Sequence, residues 1–298
     1  MNVRIAAAAA TASVLTGAAV VVTRYVVGSI DPLSLAMFRY VVGAVCLLPL
    51  IALVKAAHIP WVDRFAMAAL GTLFFGLFTL CFNVGLQSVE AARAGTIVAS
   101  MPLLTLALAS LSGIERITVA KFTGVSLAVA GVGLAMSSDG LTPVADGWIV
   151  SGDVWLLGAA LCGAIYNVGS RRYLRRYPAF AVSFWSMLGG VSVLCLLALA
   201  TGTTLSPLDL SPSSVAAVLF LGTAAGAFAF TLWIWALSNA LPTQVAVYFA
   251  LNPISAAVLG TMLLGETITA RLAAGMVAVV AGIALTSMFG RGAESEPG

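Results

Sequence analysis

Long apolar runs, broken by single charges or short polar turns, fill almost the whole chain. A helix crossing hydrocarbon needs roughly 17–25 apolar residues, because it rises about 1.5 Å per residue through about 30 Å. Nineteen uncharged residues separate Arg4 from Arg24, 25 separate Arg64 from Glu90, 21 separate Arg93 from Glu115 and 19 separate Arg271 from Arg291. The 32 residues from Tyr177 to Leu208 fit one span and a short loop. The 56 from Leu210 to Gly265 need two spans, and the turn signal Asn239-Ala240-Leu241-Pro242 divides them. The pattern predicts ten transmembrane helices, near 5–23, 33–54, 65–87, 94–113, 119–137, 153–172, 180–201, 213–238, 243–263 and 269–289. The expected fold class is therefore all-α integral membrane. A β-barrel is disfavoured, since its strands alternate polar and apolar residues and these runs are apolar on every face. The first run alone would also fit a cleaved signal peptide; with nine spans behind it, it reads as an uncleaved helix.

Composition strengthens this reading. The 298 residues are 61% hydrophobic and only 8% charged, with a mean hydropathy of +1.09, against about one quarter charged in a soluble domain. Cys46, Cys81, Cys162 and Cys195 all lie in apolar runs without C-x-x-C spacing, and the single histidine, His58, lies in a loop. No cofactor or metal is expected from such a set.

Charge placement sets an expected orientation. With the N-terminus inside, inward segments hold Arg4, Lys55, Arg64, Arg116, Lys121, Arg171, Arg172, Arg175, Arg176 and Arg291, and outward loops hold Arg24, Arg93 and Arg271. This positive-inside bias places both termini in the cytoplasm of a multi-pass protein, expected in a bacterial inner membrane. The Arg171–Arg176 cluster reads as an anchor at the anionic leaflet rather than a nucleic-acid patch.

The chain also aligns with itself. Residues 86–134 overlie 237–285 without a gap, so that Pro102, Glu115, Gly124 and Gly131 meet Pro253, Glu266, Gly275 and Gly282. A weaker match, shifted by 146, pairs Gly17, Pro32, Phe38 and Gly43 with Gly163, Pro178, Phe184 and Gly189. The expected organisation is a first five-helix repeat over 1–145, a second over 146–290 and a cytoplasmic tail over 291–298. Five is odd, so the second repeat enters the membrane inverted, the construction of many secondary transporters.

On these residues the sequence resembles the ten-helix EamA-type members of the drug/metabolite transporter superfamily. The stretches that carry the resemblance are Asp31-Pro32 through Phe38-Arg39, Pro102 to Glu115, and Leu251-Asn252-Pro253 to Gly265-Glu266. Repeat one reads Gly113-Ile114-Glu115 where the second copy has Gly265-Glu266 directly, a departure from the pattern. Within the superfamily the chain looks most like bacterial aromatic amino-acid exporters. The resemblance implies a secondary transporter exporting small metabolites by alternating access, most readily amino acids with broad specificity. A drug or organic-cation exporter is the alternative.

Candidate substrate-binding residues follow from polar groups inside apolar runs. Arg39 lies about 10 Å into the second span, where a cation needs a wet cavity or a partner; it can attract a substrate carboxylate, snorkel outward, or pair through water with Asp31 two turns earlier. Gln244, Tyr248 and Asn252, spaced i, i+4, i+8, share one helix face. Pro253, like Pro102 in the fourth span, removes a backbone donor and kinks its helix. Tyr166 and Asn167 are the most polar pair of the sixth span. Phe75, Phe78 and Phe82 fall on one face of the third, and Phe228, Trp233 and Trp235 lie in the eighth; together they can form an aromatic cavity wall. Gly124, Gly131, Gly275 and Gly282 recur every seven residues as a small-residue seam, open to use in packing or at a homodimer interface. The expected partners are thus a small-molecule substrate and the lipid bilayer, with the protein a monomer or homodimer and nucleic acid excluded. There is no P-loop, and every Asp and Glu falls at a helix end, in a loop or in the tail. Gradient-driven movement without obligatory proton exchange is expected, and an intramembrane enzyme is disfavoured for want of a nucleophile–base pair.

Overall fold

The computed structural model describes residues 3–53, 59–111, 118–136, 152–203, 211–239 and 247–289. These form ten helices and no strand among the described residues. They are α1 (Val3–Val26), α2 (Pro32–Leu53), α3 (Trp61–Gly85), α4 (Ala91–Leu111), α5 (Val119–Met136), α6 (Gly152–Leu174), α7 (Ala179–Thr201), α8 (Pro212–Gly222 continued to Asn239), α9 (Val247–Ala250 then Leu251–Leu264) and α10 (Ala270–Phe289). Six of them, α1 to α4, α7 and α8, contain a stretch long and apolar enough to cross a membrane; α5, α9 and α10 are apolar over shorter described stretches. The tail lies outside the described residues.

Helix ends follow local chemistry. The Asp31 carboxylate accepts from the Ser34 amide at 2.9 Å and so caps α2. Ser211 does the same for α8, with Pro212 at the first helical position. Gly202 ends α7 at φ 66°, a conformation that suits a residue without Cβ. The outer faces are apolar, as at Leu199, 79% exposed, and Val277, 68% exposed. In water such a surface would be untenable; in lipid it is the solvent-facing side.

Pairing of the helices is set by small residues. A Cβ on Gly71 of α3 would overlap the Ser186 backbone of α7, and one on Gly222 of α8 would come 2.6 Å from the Val42 side chain and 2.8 Å from the Arg39 carbonyl of α2. Gly17 brings α1 onto α9 at Asn252 and Ser255, and Gly163 brings α6 onto α4 at Met101. A Cβ on Gly131 would come 2.7 Å from the Gly275 carbonyl, and one on Gly282 would come 2.5 Å from that of Gly124. The seam considered for a homodimer is therefore filled within the chain, α5 against α10. Each of these contacts has a counterpart when helix n is exchanged for helix n+5.

Two helices depart from α-geometry where the sequence predicts unbroken spans. α3 contains π turns over Thr72–Phe78, and α8 contains them over Thr223–Phe228. Both follow a Gly-Thr step, Gly71-Thr72 and Gly222-Thr223, 151 residues apart. α4 is interrupted by a turn at Ala99–Ser100, one residue before Met101 and Pro102. α9 opens with a 3₁₀ turn over Val247–Ala250 just ahead of Pro253.

Candidate functional site

The π turns of α3 change which aromatics share a face. Phe74, rather than Phe75, stacks on Phe78 with centroids 4.8 Å apart, because wider turns shift the register by part of a residue. The single face expected for Phe75, Phe78 and Phe82 is thus split. Phe78 stacks on Phe82 at 5.9 Å, while Phe75 turns edge-on to Tyr40 at 5.0 Å and to Phe230 at 6.0 Å. Tyr166 stacks on Phe74 at 4.9 Å and its hydroxyl donates to Ser186 at 3.2 Å. Phe78 and Phe249 both pack against the cluster of Met101, Ala160 and Ala164, and Phe249 meets Trp233 edge-on at 5.7 Å. An aromatic path therefore runs from Tyr40 of α2 through Phe75, beside Tyr166, to Phe230 of α8, and the Trp233–Phe249 pair joins α8 to α9.

Arg39 stands at the α2 end of that path. Its guanidinium carbon lies 5.5 Å from the centre of the Tyr40 ring, and its Nε is buried with no hydrogen-bond partner. The Tyr40 hydroxyl is fixed by Thr79 at 2.7 Å, and the ring is buried. The carboxylate expected to pair with Arg39 through water, Asp31, is engaged by Ser34.

Helix α9 divides its polar residues. The 3₁₀ start places Tyr248 beside Ala8, Ala9 and Ala236, with Trp233, while Asn252 is buried and donates to Thr16 Oγ1 at 3.0 Å. The regular stripe expected from i, i+4, i+8 spacing is broken there, since a 3₁₀ turn advances by three residues rather than 3.6. Asn252 Oδ1 is buried without a partner and would lie 3.8 Å from a Cβ on Gly95 of α4. Asn167 donates to Thr105 Oγ1 at 3.2 Å, joining α6 to α4. Gln244 lies outside the described residues, as does the Pro102 side chain. Phe228 and Trp235 are 54% and 43% exposed and face away from the path, which corrects their expected place in a cavity wall. Trp233 alone of those three turns inward.

The ion pairs between the two halves were not foreseen. Arg93, read as an outward loop residue, lies in the first turn of α4 and is buried against Asp153 of α6. Arg24 donates to the Leu86 and Gln87 carbonyls at 2.6 and 2.8 Å, at the C-terminal end of α3, and its Nε is 3.8 Å from Glu266. Both Glu266 oxygens accept from the Ala91 amide at the start of α4, at 3.0 and 2.9 Å. A cation at a helix C-terminus and an anion at an N-terminus both oppose the helix dipole. The one advance signal was Glu266 itself, which the repeat singles out.

Comparison with known proteins agrees with this architecture. A protein of Archaeoglobus fulgidus named an uncharacterized transporter is 24% identical over 90% of this chain and 92% of its own. A second from the same organism, with the same description, is 32% identical, but over only 42% of this chain and 43% of its own. The uncharacterized transporter YyaM of Bacillus subtilis is 22% identical over 92% of this chain and 90% of its own. A solved crystal structure superposes over 99% of this chain and 100% of its own with a TM-score of 0.71 at 20% identity, a likeness of fold. The EamA-like transporter family model matches residues 4–137 and again 150–288. With ten helices, an apolar outer surface and that double match, the chain belongs to the EamA-like transporter family, a multi-pass membrane protein that carries small molecules.

Proposed function

We propose that the protein exports small metabolites across a bacterial inner membrane, both termini cytoplasmic, by alternating access between two inverted five-helix halves. The observation that carries this reading is the pairing of helix interruptions. π turns in α3 and α8 and breaks in α4 and α9 fall at corresponding places in the two halves, and the aromatic path runs between them. Discontinuous helices near the midplane at a repeat interface are where secondary transporters bind substrate, and π turns concentrate at functional sites.

Amino acids, aromatic ones included, are the proposed cargo. Flat apolar side chains suit the stacked rings of Phe74, Phe78 and Tyr166, and the unpaired Nε of Arg39 suits a carboxylate. Asn252 Oδ1 adds an acceptor for an ammonium group. An organic cation is the second reading, favoured by the same rings through cation–π attraction. Against it, the carboxylates among the described residues sit at helix ends, away from the path. Movement is gradient-driven for the same reason.

Purified protein in liposomes tests these readings together. Labelled phenylalanine should exchange faster than a quaternary ammonium dye, and Arg39→Gln should raise the KM for phenylalanine about tenfold or more, the scale of one charge-assisted hydrogen bond. Preference for the dye, with Arg39→Gln neutral, would replace the cargo. Accumulation of phenylalanine driven by an imposed proton gradient would overturn the gradient-driven scheme.

A further inference from the structure

A groove of about 540 Å³ opens on the outside of the bundle between α3 and α6, at the end away from the Arg24–Glu266 cluster. Its lining is apolar at Ala66, Ala69, Leu70, Val168 and Gly169, while Arg171, Arg172, Tyr173 and Arg175, toward the C-terminal end of α6, form its basic end, the mouth. Along α6 the lining runs from Val168 to Arg175, seven residues on and about 10 Å of rise, with arginine from position 171 onward. That distance is about the depth from a phospholipid's phosphate into its upper acyl chain.

The mouth is also held in shape. Arg172 lies over the Tyr173 ring with its guanidinium carbon 4.5 Å from the centre and donates to the Tyr173 hydroxyl. Tyr173 is itself buried against Ile59, Met67 and Ala181. A nearby acid, Asp63, accepts from Tyr177 at 2.5 Å, and this bond pushes the Tyr177 phenol above its ordinary pKa. Three arginines against the single charge of Asp63 make this end of the groove net cationic. Trp61 and Phe65, 75% and 69% exposed on α3, mark the membrane interface at this level, where aromatic rings gather.

We infer that this groove is a binding site for one anionic phospholipid, with the phosphate on Arg171, Arg172 and Arg175 and an acyl chain along Ala69, Leu70 and Gly169. Diffuse attraction of basic residues to an anionic leaflet needs no groove. A groove whose polarity changes in the sense and over the length of a lipid is the added observation. A soluble phosphate would match the mouth but leave the apolar wall unfilled.

Native mass spectrometry of the full-length protein, purified in detergent with equal amounts of phosphatidylglycerol and phosphatidylcholine, tests the site. The wild type should retain one phosphatidylglycerol with a preference of about tenfold. The combined variant Arg171→Gln, Arg172→Gln, Arg175→Gln should lose that preference. Ala69→Trp fills the apolar wall, keeps every charge and should lose it too, so that a folding or insertion defect in the first variant does not decide the matter. Arg271→Gln, exposed at the start of α10, should retain it. Equal retention of the two lipids by the wild type would overturn the proposal. So would wild-type retention in both groove variants, or displacement of the lipid by millimolar inorganic phosphate, which would mark a soluble-anion site instead.

Discussion

Arg93 and Asp153 show what a charge pair does once both partners leave water. Each is more than nine-tenths buried, and each offsets the other's charge. Desolvation makes such a pair a weak source of stability, but removing one member strands a buried charge at a cost of about 3–5 kcal/mol. Arg93→Ala should therefore lower the thermal unfolding midpoint of the purified protein sharply. The double variant with Asp153→Ala should recover much of the loss. If the double variant is as unstable as the single one, Arg93 acts by packing rather than by charge. Nothing in the sequence announces this pair, because its members are 60 residues apart and each sits at the edge of an apolar run. Arg39 and Asn252 were legible for the opposite reason: a polar side chain deep in an apolar run is conspicuous. Their orphaned atoms, Arg39 Nε and Asn252 Oδ1, are what distinguishes them from the satisfied Asn167 and Tyr166.

At the scale of the element, glycine decides how close two helices come. α3 and α7 approach until Gly71 faces the Ser186 backbone and Gly189 faces that of Ala68. Backbone cannot yield as a flexible side chain does, so Gly71→Ala and Gly189→Ala should each prevent a monodisperse, folded protein on size-exclusion chromatography. Gly158 sits within α6 with nothing within 4 Å of a Cβ, and Gly158→Ala should stabilise by roughly 0.5–1 kcal/mol through helix propensity alone. Equal tolerance of all three substitutions would refute the packing assignment. Helix number and position were legible, since apolar run length follows directly from membrane thickness and from the cost of burying charge. Departures from α-geometry were not. Apolarity is the same for α, π and 3₁₀ turns in lipid, and only hydrogen-bond register tells them apart. The shared Gly-Thr steps at Gly71 and Gly222 were the available sign, and they carry meaning only once both are seen to precede π turns. The 3₁₀ turn likewise undid the helical spacing that joined Tyr248 to Asn252.

For the whole molecule, the consequence lies in where the halves are tied. Arg24, Ala91 and Arg93 come from the first half, Glu266 and Asp153 from the second, and their contacts gather at one end of the bundle. In the alternating-access cycle proposed above such ties must break once per turn, so they are expected to set the population of the state closed at this end. Glu266 is the critical member, because one carboxylate serves both the Ala91 amide and the Arg24 side chain. Glu266→Gln keeps the shape and an acceptor oxygen but removes the charge that strengthens both contacts. Loss of a charge-assisted bond of about 1.5–3 kcal/mol corresponds to at least a tenfold shift toward opening. Cys81 reports on that shift: it is 5% exposed and lies in the last turns of α3, at the tied end. In protein retaining Cys81 as its single cysteine, a membrane-impermeant maleimide applied outside spheroplasts should label Glu266→Gln about tenfold faster than the parent. Unchanged labelling would mean that the ties do not limit opening. Faster labelling only from the cytoplasmic side would reverse the orientation proposed from the arginine distribution.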